Sequence, residues 1–90
     1  MTEITLANIL ARIQFEGTSV AFAVPNELEL KLLKHRISLI SGSTPLKNVV
    51  CTVFSHLDDI KSDYVVILFA EQFFGMTLAS NVLFIYGELQ

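Results

Sequence analysis

Apolar and polar residues alternate along residues 9–24, a pattern typical of two half-buried strands. The apolar side chains of the first strand would share one face: Ile9, Ala11, Ile13 and Phe15. EGTS at 16–19 supplies a turn, and the alternation resumes in SVAFAV. The pattern therefore predicts a β-hairpin over residues 9–24, preceded by at most a short helical turn capped by Thr5.

A helix is predicted from Asn26 to Ser41. Pro25 ends the preceding strand, Asn26 can cap the helix, and Glu29 completes an approximate capping box three residues later. Gly42 can close the carboxyl end. The apolar residues that recur at helical spacing are Leu30, Leu33, Ile37 and Ile40.

The stretch GSTPLKNVVCTVF, residues 42–54, fits two structures. Thr44 and Pro45 could begin a helix over residues 45–57, whose amino end would offer free N–H groups to an anion beside Ser43 and Lys47. Residues 49–54 instead favour a strand, because their β-branched and aromatic side chains cost roughly 3 kcal/mol in a helix relative to alanine. The strand is the preferred interpretation.

The remaining pattern completes an α+β fold. YVVILFA is predicted as a buried strand at the sheet centre, EQFFGMTLAS as a loop or short helix, and NVLFIYGEL as a final strand. We expect one compact domain over residues 1–90, with an antiparallel sheet of four or five strands. The helix at about 26–41 would pack on one face, and a second helix at 45–57 is the alternative.

Composition indicates an interface. Apolar residues make up 52% of the chain and charged residues 17%, a surplus that usually shows as an exposed apolar patch. The 23-residue run from Val65 to Gly87 could span a bilayer by length, but Glu71 and Gln72 would then lie in hydrocarbon. With a single cysteine and no leader pattern, a cytoplasmic protein without a membrane span is expected.

Motifs of catalysis and ligand binding are weak. Neither phosphate-loop pattern occurs, and no histidine or cysteine pair has metal-site spacing. In a strand, Cys51 and His56 would point to opposite faces, so Cys51 is expected to pack as a small hydrophobe. The sequence therefore predicts no enzyme, no metal and no cofactor.

Charge is unevenly distributed. No acidic residue occurs between Glu29 and Asp58, an interval that holds four lysines and arginines and both histidines. These basic residues could form one surface for an acidic partner, or they could only complement the helix dipole. QFFGM at 72–76 is the best candidate for exposed apolar surface, with packing onto the sheet as the equal alternative.

The predicted function is a small non-catalytic protein-binding module or inhibitor that occupies a surface of a larger protein or ribonucleoprotein. Small anti-defence inhibitors from phages and mobile elements, of the anti-CRISPR type, are analogous to this chain only in their size and general character. Direct RNA or DNA binding through residues 31–47 is an alternative that the net charge of −3 disfavours, and a homo-oligomer subunit is another. The candidate partner-binding residues are Lys31, Lys34, His35, Arg36, Lys47, Phe73, Phe74 and Met76.

Overall fold

The computed structural model describes residues 5–42, 46–76 and 80–90. Within these residues, two helices and four strands follow one another: α1 (Leu6–Glu16), β1 (Val20–Val24), α2 (Glu27–Ser41), β2 (Val49–Val53), β3 (Tyr64–Ile67) and β4 (Val82–Phe84). Two 3-10 segments, Phe54–Asp59 and Ala70–Phe73, follow β2 and β3 respectively.

All four strands are parallel and form one sheet in the order β2-β1-β3-β4. The predicted α+β class and four-stranded sheet are confirmed, but the antiparallel arrangement is wrong. Each pair of parallel neighbours needs a crossover, which α2 supplies between β1 and β2. The connection from β2 to β3 is polar in sequence and EQFFGMTLAS was predicted as a loop or short helix, and each of these two connections carries a 3-10 segment that packs against the sheet.

The hairpin predicted over residues 9–24 is also wrong in its first half, where α1 forms instead. Thr5 Oγ1 accepts a hydrogen bond from Asn8 N at 3.1 Å, so the predicted cap is present but opens a full helix. Leu6, Leu10 and Ile13 are buried at helical spacing, whereas Phe15 is 92% exposed.

The helix predicted from Asn26 is confirmed as α2. Asn26 Oδ1 accepts a hydrogen bond from Glu29 N at 3.0 Å, and Leu33 and Ile37 are buried. The preferred interpretation of the next stretch is confirmed as well, since residues 49–53 form β2. Thr44 and Pro45, on which the helical alternative depends, lie outside the described residues.

The two faces of the sheet are covered by different elements. Both helices pack on one face, where Phe22 of β1 is fully buried among Leu10 and Leu33. The 3-10 segments cover the opposite face around Ala23 and Ile67. Strand β1 is consequently buried at every position, as expected for a parallel sheet with both faces covered.

A small polar network joins the amino ends of three strands. Asp63 Oδ2 accepts hydrogen bonds from Ser19 N at 2.9 Å and from Ser19 Oγ at 3.1 Å, and Asp63 N donates to Ser19 Oγ at 2.8 Å. Asn81 Nδ2 donates to the carbonyl oxygen of Asp63 at 2.9 Å. These contacts connect the residues that precede β1, β3 and β4, and so align the strands at this edge.

Candidate partner-binding surfaces

Five aromatic rings form a row that begins in the core and ends in solvent. Phe54 meets Phe73 edge-on with ring centroids 5.1 Å apart, and Phe73 stacks on Phe84 at 6.0 Å. Phe84 stacks on Tyr86 at 6.5 Å, and Tyr86 meets Phe74 edge-on at 5.9 Å. The first three rings are half-buried, whereas Phe74 and Tyr86 are exposed. We call Phe74 and Tyr86 the aromatic patch.

The turn after β3 explains why neighbouring phenylalanines point in different directions. Phe73 ends the second 3-10 segment and packs into the core, while the Phe74 backbone has already left the helical conformation, with φ −57° and ψ 129°. Gly75 follows with φ 85°, a left-handed conformation that favours glycine. Met76 N donates to the Phe73 carbonyl oxygen at 2.9 Å, which closes the turn. The Phe74 ring is thereby left 82% exposed.

The candidate residues of QFFGM therefore differ in burial. Phe73 belongs to the core, while Phe74 and Met76 lie at the surface. Tyr86 completes the patch and was missed by the sequence analysis. An alternation in LFIYG could have indicated it, because Phe84 and Tyr86 are two residues apart and share a face in extended chain.

The candidate basic residues lie on two elements, α2 and the segment that precedes β2. Lys31, Lys34 and His35 are exposed on α2, whereas Arg36 is half-buried and pairs with Glu88 at 3.3 Å. Lys47 is exposed just before β2, at the amino edge of the sheet, and Lys31 lies in the half of α2 nearest the carboxyl edge.

A second exposed apolar surface lies on the outer side of α2. Leu28, Leu32 and Leu39 are between 50% and 70% exposed. Because successive helical residues turn by about 100°, Ile37 of the buried face lies about 180° from Leu28. The helical spacing in the sequence predicted only the inner stripe, and the leucines outside that stripe were the available evidence for this face.

An apolar groove of about 260 Å³ lies between α1 and β4, on the face that carries both helices. Ile9 and Leu83 are among its lining residues, and Arg12 and Glu16, which pair at 3.0 Å, stand at its rim. The groove exists because the two helices cover the other strands of this face more fully than they cover β4. It is suited to an apolar group rather than to an ion.

The reactive side chains are dispersed. Burial raises the pKa of the Cys51 thiol to about 11, an effect that the charge of Lys34 only partly opposes. His56 lies 3.8 Å from Asp59 at the surface. Within residues 5–42, 46–76 and 80–90, no three histidine, cysteine or acidic side chains are grouped to hold a metal ion. Cys51 thus behaves as a packing residue with low nucleophilicity.

Neither helix of the described part of the chain is long and apolar enough to cross a bilayer, and the run from Val65 to Gly87 contains most of β3, a 3-10 segment and β4. Comparison with known proteins gives no match: no family model, no curated protein and no solved structure is significantly similar to this chain. The fold and surfaces describe a small parallel-sheet domain with exposed apolar faces.

Proposed function

We propose that this chain is a non-catalytic protein-binding module that occupies an apolar pocket on a larger protein or on the protein part of a ribonucleoprotein. The observation that carries the proposal is the aromatic patch, with Phe74 82% exposed and in edge contact with Tyr86. Aromatic side chains are enriched among the residues that dominate binding energy at protein interfaces.

The patch is organised before binding. The Tyr86 ring stacks on Phe84, which in turn stacks on the half-buried Phe73, so the exposed rings continue an ordered core. Rings held in this way lose less conformational entropy on binding than freely rotating side chains do. A partner pocket therefore gains most of the benefit of burying them.

Charge near the patch favours a protein over a nucleic acid. Glu71 and Glu88 are exposed and lie within three residues of Phe74 and Tyr86 in the sequence. Aromatic rings that stack on nucleic-acid bases normally stand in a basic groove, because the phosphates must be neutralised. Acidic neighbours instead suit an apolar pocket with a neutral or basic rim.

The experiment compares capture of partners from native extract by the wild-type chain and by three variants. Phe74→Asp and Tyr86→Asp place a charge in the patch, and Phe15→Asp places the same charge on a 92%-exposed ring of α1. We expect one protein to be retained by wild type and Phe15→Asp and lost by both patch variants. With the purified partner, each patch variant should weaken binding by about 30-fold or more, since interface hot spots contribute about 2 kcal/mol or more.

Two outcomes would contradict the proposal. One is equal affinity of the partner for wild type and both patch variants, with folding verified by circular dichroism. The other is capture that nuclease treatment abolishes and that weakens steeply with salt, since this is the behaviour of phosphate contacts.

A further inference from the structure

The outer side of α2 has the spacing of a helix-pairing seam. Leu28, Leu32, His35 and Leu39 follow one another at intervals of four, three and four residues, which is the a/d spacing of a heptad repeat. All four side chains are exposed. Over the 15 residues of α2 this gives a straight apolar line, interrupted only by His35, along a helix about 22 Å long.

A second α2 helix could lie along the seam in a parallel or an antiparallel direction, and the residues beside the seam distinguish between the two. Glu29 and Arg36 flank one side, and Lys31 and Ser38 flank the other. A parallel pair would bring Lys31 against Arg36 of the second copy, and would place the two copies of His35 together in the core. Both contacts are unfavourable, so parallel pairing is opposed.

An antiparallel pair matches the charges. Leu28 then packs against Leu39 of the second copy, and Leu32 packs against His35 of the second copy. Glu29 comes beside Arg36 of the second copy, and two-fold symmetry forms this contact twice. Arg36 already binds Glu88 through Nη1, but its guanidinium has five N–H donors and can serve two carboxylates.

We propose that two copies of this chain form a two-fold symmetric dimer through antiparallel pairing of their α2 helices along Leu28, Leu32, His35 and Leu39. This inference goes beyond the proposed function, because it uses the outer side of α2 and not the aromatic patch. A dimer would present two aromatic patches, which would strengthen binding to a partner that carries two sites.

Sedimentation equilibrium over a concentration series measures the association. The seam is short, so we expect a Kd on the order of 10 µM. Leu32→Glu removes two leucines from each dimer and buries two charges, and should raise the Kd by about 100-fold or more. Phe15→Glu places the same charge on a 92%-exposed side chain of α1 and should leave the Kd unchanged. A wild-type monomer at millimolar concentration would overturn the proposal, as would association that Leu32→Glu does not weaken.

Disulfide trapping tests the orientation, in a Cys51→Ala background whose fold is checked by circular dichroism. Leu28→Cys and Leu39→Cys are prepared as separate proteins. Antiparallel pairing predicts that a mixture of the two cross-links on mild oxidation, and that neither protein cross-links by itself. Self-cross-linking of each protein would show a parallel pair, and a dimer that forms no cross-link in the mixture would show that another face associates; either result rejects the proposal.

Discussion

Replacing Leu10 and Phe15 separately by alanine tests the architecture at the point where it departs from the alternating sequence pattern. In α1 the Leu10 side chain is 3% exposed and packs in the main core, whereas Phe15 faces solvent. In a hairpin the two would exchange environments, because Phe15 belongs to the apolar face of the alternation and Leu10 to the polar face.

The size of the effect follows from burial. Leu10→Ala removes three buried carbons, which at about 0.8 kcal/mol each corresponds to about 2 kcal/mol, and the cavity that remains raises the loss to roughly 3 kcal/mol. For a domain of this size the melting temperature should fall by roughly 12–24 °C. Phe15→Ala should change the free energy of unfolding by only about 0.5 kcal/mol, because its side chain buries little surface.

Urea denaturation followed by circular dichroism measures both changes at constant m-value. The reasoning would be refuted by the opposite ranking, with Phe15→Ala losing about 3 kcal/mol or more and Leu10→Ala nearly neutral, since that is the hairpin's expectation. Equal small losses would also contradict the structure, because Leu10 would then not be a core residue.

Two further predictions follow from the strand edge and from the thiol. Asp63→Ala should lower the free energy of unfolding by about 1–2 kcal/mol, because Ser19 N and Oγ lose a charged acceptor at an exposed site. Replacement of the exposed Asp58 by alanine is the matched control. Equal stability of the two variants would contradict this role of Asp63. Cys51, whose pKa is raised from 9.0 to about 11, should react with a thiol reagent at pH 8 roughly 100-fold more slowly in the native protein than in urea, and equal rates would contradict its burial. Because the pKa of Cys51 is higher in the folded protein, the unfolded chain releases the thiol proton at a lower pH than the folded protein does. The stability that the protonated thiol contributes should therefore be fully present below pH 9 and be lost as the pH rises through 11.

The candidate surfaces were only partly predictable. Phe74 and Met76 were identified from their residue types, but the same evidence applied equally to Phe73. Which phenylalanine is exposed depends on the turn at Gly75 and on the position of Phe54, which is almost twenty residues away in sequence. The charge pattern of the sequence did not predict the ion pair of Arg36. This residue belongs to the basic interval, yet it pairs with Glu88, which is 52 residues later in the chain.

Local chemistry accounts for the elements that were predicted correctly. The information for α2 lies within one short segment: Asn26 supplies the cap, Glu29 follows at the required distance, and the inner apolar stripe has helical spacing. The same holds for β2, whose β-branched residues each disfavour a helix wherever they are placed. In both elements the sequence signal lies within the segment itself.

Strand direction and the identity of α1 depend on distant contacts. Ile9 and Ile13 fit both an alternating and a helical pattern, and the choice is made by the buried face of β1, against which Leu10 and Ile13 pack. Strands β1 and β3 are neighbours although forty residues separate them, and no local pattern specifies whether such strands run parallel. That direction depends on whether each connection can cross the sheet and bury its own apolar side chains there, which is a property of the packed molecule and not of any one segment.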